Sequence, residues 1–169
     1  VIYHDGQFDD SRLSINLAQT AAGLGGDLLN YVKCSGLIKE DRFVRGVELV
    51  DTLSGQEFSV KANCVVNATG VFVDELRQAD DPEAGEIVAV SQGIHFVLPR
   101  EFLPGDTALM VPKTADVRVL FGVPWHNRVV FGTTDTPLRK KSLEPRALKE
   151  ERDFVLEHAA RYLSRDPAD

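Results

Sequence analysis

Three short segments of this 169-residue chain combine residue types that could bind a ligand or move a proton. The first is the apolar run Cys64–Ala68, which leads into Thr69 and Gly70. An apolar run without alternation is typical of a parallel strand buried on both faces, and a glycine after it lets a ligand approach the backbone. Doubly wound sheets bind nucleotides at the carboxyl ends of such strands. Ala68, Thr69 and Gly70 are therefore candidates for nucleotide contact, with a tight structural turn as the alternative.

The second segment, Gly93 to Pro99, contains a titratable side chain within a strand pattern. Alternation places Ile94, Phe96 and Leu98 on one face and His95 on the other. A histidine on that second face could point into a pocket. A surface or hydrogen-bonded histidine is the alternative.

The third segment, Gly132 to Pro137, follows an apolar strand and gathers hydroxyls and a carboxylate at Thr133, Thr134 and Asp135. This mixture can line a polar site, and it is equally ordinary turn chemistry. The chain contains no GxGxxG, GxSxG, HExxH or Walker lysine motif. It therefore carries no complete dinucleotide fingerprint of its own.

The elements around these segments fall into two groups. In the first group, the spacing of apolar residues predicts a helix from Asp9 to Leu24 that ends at Gly25-Gly26. Three strands are predicted to follow it, at Leu28–Cys34, Phe43–Val50 and Glu57–Ala62. The polar stretch Arg77–Glu86 is the candidate linker. Strands without intervening helices follow and predict an antiparallel sheet: 87–90, 94–98, 108–111, 117–123 and 128–131, with a turn at 125–128. A last helix is predicted from Glu144 to Leu163, with Ser142 as its cap. The fold class is thus mixed α/β, an α/β sheet element plus an antiparallel sheet.

Composition excludes several function classes. A net charge of −7 without a basic block argues against nucleic-acid binding. No run of 18 apolar residues and no signal peptide are present. Cys34 and Cys64 lack metal-ligand spacing and predict buried free thiols in an intracellular protein, with no metal site. Because the chain begins with Val1, we expect it to be a piece of a longer protein.

Taken in order, four motifs resemble a known family. Tyr3–Leu13 is similar to Y-x-D-x-Q-x-D-D-A-R-L, Val66–Gly70 to N-A-T/A-G, Gly93–Pro99 to G-x-H-x-x-x-P, and Gly132–Thr136 to G-T-T-D. Together they resemble the FAD-dependent glycerol-3-phosphate dehydrogenases, within the D-amino-acid-oxidase-like flavoproteins. One departure is Val71-Phe72, where the family has Pro-Trp. The aromatic ring is kept, and a backbone contact at this loop stays possible.

The resemblance implies a divided architecture and an activity. Residues 1–80 would be the middle of a Rossmann-like FAD-binding domain that lacks the GxGxxG segment, and residues 81–169 part of a substrate cap with an antiparallel sheet. The parent would oxidise sn-glycerol 3-phosphate to dihydroxyacetone phosphate with FAD. It would pass electrons to quinone, in the cytoplasm or peripherally at the membrane surface, and the isolated piece would be inactive. Alternatives are a glycerol-3-phosphate oxidase, another flavin oxidoreductase of this type, or a non-catalytic binding domain.

The resemblance also assigns roles to residues. Val32 and Lys33 would approach the adenine by their backbone, and Ala68, Thr69 and Gly70 would lie against the FAD ribose or pyrophosphate. His95 would face the substrate as base or hydrogen-bond partner. The cap sheet near the substrate would contribute the polar residues Thr133, Thr134 and Asp135.

Overall fold

The computed structural model describes residues 2–112 and 119–167. These residues form two compact units: the chain up to residue 68 with residues 76–82, and residues 69–75 with the chain from residue 83 onward. The division between residues 82 and 83 lies two residues beyond the boundary expected between residues 80 and 81. The separate grouping of residues 69–75 is not predicted from the sequence.

In the first unit a helix precedes a small antiparallel sheet. Helix α1 (Asp10–Gly23) begins where predicted, because the Asp9 carboxylate accepts the Arg12 backbone N–H at 2.9 Å and so caps the first turn. No side chain of α1 is buried within the part of the chain that the structure describes. Three antiparallel strands follow in the spatial order β1-β2-β3: β1 (Val32–Glu40), β2 (Phe43–Asp51) and β3 (Glu57–Lys61).

Two expectations for this unit are wrong. The strand predicted at Leu28–Cys34 begins only at Val32, because Leu28 and Leu29 are exposed and unpaired in the sheet. Cys64–Ala68 forms no strand, and Val66 is 81% exposed. A doubly buried strand needs a neighbour on each side, and no described sheet includes this run. Cys64 is accordingly exposed, while Cys34 is half-buried.

The predicted linker is partly helical. Helix α2 (Val73–Asp80) follows a single 3₁₀ turn at Gly70–Phe72 and takes in Arg77–Asp80. Its acidic first turn and basic last turn suit the helix dipole. The polar composition that suggested a linker therefore reflects, in part, a solvated helix.

The second unit is built on a four-stranded antiparallel sheet. Its strands are β5 (His95–Pro99), β6 (Leu109–Val111), β7 (Leu120–Trp125) and β8 (Arg128–Gly132), in the order β5-β8-β7-β6. The short strands β4 (Ser91–Gln92) and β9 (Thr136–Pro137) pair with each other. The turn predicted at residues 125–128 is confirmed. The start of the strand predicted at residues 117–123 lies outside the described residues, and residues 87–90 form no strand.

Helix α3 (Lys149–Tyr162) covers one face of this sheet and completes the core. It starts five residues later than predicted, because Pro145 disfavours helical backbone at Glu144. Ser142 does not cap it; its hydroxyl accepts the Glu144 N–H at 3.1 Å. The core consists of residues from the strands and the helix: Leu98, Val111, Leu120, Phe131, Val155, Ala159 and Leu163. No helix in the described ranges is long and apolar enough to cross a bilayer.

Candidate functional site

His95 lies on the face of the four-stranded sheet opposite α3. Ile94, Phe96 and Leu98 pack into or against the core, as the alternation predicts. His95 opens β5 and is exposed on the other face, followed two residues later by Val97, which is 64% exposed. The imidazole is therefore available to a ligand on that face, within its own unit.

A continuous row of residues crosses the sheet at His95. Gly132 of β8 lies directly opposite His95, and Phe121 of β7 lies opposite Gly132 on its other side. Met110 of β6 follows opposite Phe121. Phe121 and Met110 are both substantially exposed, so a titratable ring stands at the end of an apolar row. An exposed apolar patch rimmed by polar groups is typical of a ligand or partner surface.

The hydroxyl-rich loop begins one residue beyond Gly132. Thr133 is half-buried and donates its hydroxyl to the Thr134 carbonyl at 3.0 Å. Asp135 is exposed. Thr134 points inward, and its hydroxyl accepts the Ile94 backbone N–H at 3.0 Å. The structure thus brings Thr133 beside the His95–Gly132 pair and uses Thr134 to anchor the strand that carries His95.

A buried carboxylate beneath this loop was not identified from the sequence. Glu151, in the first turn of α3, is 2% exposed. Its Oε2 accepts the Leu148 N–H and the Gln92 side-chain N–H, both at 2.9 Å, and its Oε1 lies 3.5 Å from the Thr134 hydroxyl. Burial raises the pKa of Glu151, but hydrogen bonds from Leu148, Thr136, Gln92 and Thr134 outweigh it, so the pKa is lowered. An acid three residues after a helix cap was the available sequence signal.

A second buried carboxylate fixes the segment that leads to this region. Asp74, in the first turn of α2, is almost fully buried and accepts the backbone N–H groups of Ile87 and Val88 at 3.1–3.2 Å. These amides therefore bond to a side chain instead of a neighbouring strand. This explains why the strand predicted at residues 87–90 does not form.

The loop Ala68-Thr69-Gly70 is exposed along its whole length. Gly70 adopts φ +55°, and a Cβ at this position would meet nothing within 4 Å. A ligand can therefore approach this backbone. Val65 and Asn67, just before this loop, line part of a cavity of about 140 Å³ in the first unit. This cavity is smaller than a typical small-molecule pocket of roughly 300–1,000 Å³.

Val32 and Lys33 open β1 and pair with Asp51 and Val50 of β2. Val32 is half-buried and Lys33 is exposed. They belong to the first unit, whereas His95 and Thr133 belong to the second. Within each unit the predicted residues occupy accessible backbone or an accessible face, with Thr134 as the exception.

The chain matches the FAD-dependent oxidoreductase family, DAO, over residues 1–169, and it belongs to that family. Its relatives include the probable mitochondrial glycerol-3-phosphate dehydrogenase of Dictyostelium discoideum, 41% identical over 96% of this chain and 26% of the relative. The human mitochondrial glycerol-3-phosphate dehydrogenase is 39% identical over 98% of this chain and 24% of the relative. The chain therefore spans about a quarter of the length of these relatives.

A solved structure supports the same family. The glycerol-3-phosphate dehydrogenase from Bacillus halodurans, complexed with FAD, matches with a TM-score of 0.84 and 34% identity, over 95% of this chain and 32% of that chain. The fold class predicted from the sequence is confirmed by these matches.

Proposed function

We propose that this chain forms part of an FAD-dependent dehydrogenase that oxidises sn-glycerol 3-phosphate to dihydroxyacetone phosphate. The observation that carries the proposal is the exposed His95 at the end of the row formed with Gly132, Phe121 and Met110. This row lies in a chain whose relatives are glycerol-3-phosphate dehydrogenases. Family membership also favours an enzyme over a non-catalytic binding domain.

In the proposed mechanism, His95 accepts the proton of the substrate's C2 hydroxyl. When bound, FAD supplies the two-electron oxidant. An imidazole is suited to this step because its neutral form carries a ring nitrogen that can accept a proton. His95 has solvent access on its face of the sheet, so the proton can leave after each turnover.

Backbone groups of the Gly70 loop fit contact with the FAD ribose or pyrophosphate. Ala68, Thr69 and Gly70 are exposed, and the empty space beside the Gly70 Cα leaves room for a phosphate or hydroxyl group. Backbone amides are ordinary anion ligands. Val32 and Lys33 are proposed to approach the adenine from β1 by their backbone.

Thr133, Thr134 and Asp135 are proposed to lie near the glycerol end of the substrate. The Thr133 hydroxyl and the Asp135 carboxylate can accept hydrogen bonds from glycerol hydroxyls. The buried Thr134 hydroxyl instead holds the Ile94 N–H beneath them. The carboxylate of Asp135 would repel a phosphate dianion. The phosphate is therefore expected to bind cationic groups elsewhere in the enzyme.

The electron acceptor separates two versions of this proposal. Quinone at a membrane surface defines a dehydrogenase, and oxygen would define an oxidase with the same flavin chemistry. The relatives named above are mitochondrial by name, whereas the sequence led us to expect a cytoplasmic protein with a peripheral membrane position. Stopped-flow reoxidation of the reduced enzyme by a short-chain quinone and by oxygen decides between the acceptors.

The test of the proposed function is His95→Ala in the full-length enzyme, with turnover normalised to bound flavin. We expect kcat/KM to fall roughly 10²–10⁴-fold, the usual range for acid–base catalysis. Flavin content and Tm should barely change, because His95 is exposed. His126→Asn, at the exposed β7–β8 turn, is the matched control, since asparagine tolerates the φ of +51° there. Near-wild-type turnover in His95→Ala would refute the catalytic role of His95. A purified full-length protein without flavin would refute the proposed dehydrogenase.

A further inference from the structure

We propose that Glu151 is a positioning residue that holds His95 in place through Thr134, an inference that rests on the proposed function of His95. The hydrogen-bond partners of Glu151 among the described residues do not include His95. Its carboxylate instead gathers side chains from the segments on either side of the candidate site. This role differs from that of an ordinary helix cap, which would require only the Leu148 N–H.

The link from Glu151 to His95 consists of two hydrogen bonds and one peptide unit. Glu151 Oε1 lies 3.5 Å from the Thr134 hydroxyl, and that hydroxyl accepts the Ile94 N–H at 3.0 Å. Ile94 is the residue directly before His95. A hydroxyl has a single proton, so donation to Glu151 orients its lone pairs toward Ile94. The carboxylate therefore fixes both the position and the orientation of the group that holds the start of β5.

The same carboxylate holds the preceding strand. Gln92 donates to Glu151 Oε2 at 2.9 Å and to the Arg146 carbonyl at 3.1 Å. Between these anchors, Gly93 packs so closely that a Cβ there would lie 2.2 Å from the Thr134 carbonyl oxygen and 2.5 Å from the Thr133 hydroxyl. Movement of Glu151 would thus be transmitted to the residues that flank His95.

Burial and charge make this arrangement specific for a carboxylate. At 2% exposure, Glu151 has little access to water that could replace a lost partner. A glutamine whose oxygen takes the place of Oε2 keeps the hydrogen bonds from Leu148 and Gln92. Its NH₂ then replaces Oε1 and cannot accept a hydrogen bond from the Thr134 hydroxyl. Because a displacement of about 1 Å in a reacting group can cost roughly 100-fold in rate, even a small rearrangement should be measurable.

The test compares Glu151→Gln with the matched control Glu150→Gln in the full-length enzyme. Glu150 carries the same charge in the same first turn of α3 but is exposed. We expect Glu151→Gln to lower kcat about 10- to 100-fold with a near-normal flavin content, and Glu150→Gln to resemble wild type. Wild-type kcat in Glu151→Gln would overturn the proposal.

A double-mutant cycle distinguishes positioning from general loss of structure. If Glu151 acts through His95, Glu151→Gln should lower kcat little further in a His95→Ala background, because the group that it positions is absent. Multiplicative losses would overturn the proposal. If Glu151→Gln does not fold, Thr134→Val provides the same cycle, because it removes the hydroxyl that links Glu151 to Ile94. Thr134→Ser, which keeps the hydroxyl, should retain most of the kcat that Thr134→Val loses.

A readout independent of activity separates this inference from the proposed function. Hydrogen exchange in peptides that cover residues 91–95 should be faster in Glu151→Gln than in wild type and in Glu150→Gln. Unchanged exchange would overturn the positioning role. If exchange rises while His95→Ala retains normal turnover, the proposed function of His95 fails and the anchoring by Glu151 stands.

Discussion

His95 and Gly132 face each other across the β5–β8 pair, and the imidazole occupies the space that a side chain at position 132 would need. A Cβ on Gly132 would lie 2.8 Å from His95 Cδ2 and 2.6 Å from the Ile94 carbonyl oxygen. Both distances are shorter than real carbon contacts. The orientation of the ring therefore depends on the absence of a side chain on the neighbouring strand.

Gly132→Ala should displace His95 without removing it. We expect kcat/KM to fall at least about tenfold and the free energy of unfolding to fall by about 1–3 kcal/mol through overpacking. Steady-state kinetics per bound flavin and urea denaturation measure the two effects. Gly85→Ala is the control, because a Cβ there meets nothing within 4 Å. Wild-type kinetics in Gly132→Ala would show that the ring orientation does not matter.

Gly70 tests whether its loop contacts FAD. At φ +55°, a valine is strained by roughly 1–3 kcal/mol, so Gly70→Val should lose both stability and flavin. Asparagine tolerates this backbone, so Gly70→Asn should keep the Tm and still lose flavin by filling the open space. Flavin absorbance per protein is the measurement. Gly55→Asn, at φ +77° in the β2–β3 turn, should retain its flavin. A full flavin complement in Gly70→Asn would place the cofactor elsewhere.

Glu151 should make stability depend on pH in the acid range. Its pKa in the folded protein is lowered from the ordinary value of 4.5, so the unfolded chain binds the proton more readily. The contribution of Glu151 is therefore complete above about pH 4.5 and is lost as pH falls through the lower folded value. Glu151→Gln should be less stable than wild type at pH 7 by about 1–3 kcal/mol.

This difference between Glu151→Gln and wild type should narrow below about pH 4.5, because only the wild-type side chain becomes protonated. Urea denaturation from pH 7 down to pH 3 measures it, with Glu150→Gln as the exposed control. A gap that stays constant over this range would contradict the prediction.

His158 should contribute little to stability although it is buried. Its Nδ1 lies 2.8 Å from the Phe154 carbonyl oxygen, so Nδ1 carries the proton; Nε2 is buried with no hydrogen-bond partner among the described residues. An unpaired buried acceptor costs free energy. His158→Leu should leave the free energy of unfolding within about 1 kcal/mol of wild type, or raise it.

Val155→Ala is the comparison for His158→Leu, since Val155 is fully buried one helical turn earlier. It should lower the free energy of unfolding by about 1–3 kcal/mol. Thermal melts of the two variants, recorded under the same conditions, compare their losses of stability. A loss in His158→Leu as large as that in Val155→Ala would reveal an additional partner for the imidazole.

Local patterns predicted those features that depend on neighbouring residues. The start of α1, the β2–β3 hairpin and the two faces of β5 follow from sequence spacing and are confirmed. Whether Cys64–Ala68 forms a strand could not be predicted in this way. A strand forms only if a neighbouring strand pairs with it, and the residues of this run do not specify that neighbour.

The two buried carboxylates escaped prediction for a related reason. Acids are common in the first turns of helices, so the residue types of Asp74 and Glu151 give no sign of burial. Their burial depends on donors distant in sequence, the Ile87 amide for Asp74 and Gln92 and Thr134 for Glu151. A single sequence contains no local signal for such partners.

The exposure of helix α1 determines where the chain should open locally and be cleaved first. It spans 14 residues, and Leu13 and Leu17 on its apolar stripe are exposed. A helix of this length is marginal in water when no side chain of it is buried, which is the case for α1 among the described residues. Its backbone should therefore open at little cost in free energy, and a protease should cleave the chain in α1 before it cleaves the sheets. Protection of α1 from proteolysis would thus report the arrival of any surface that covers Leu13 and Leu17.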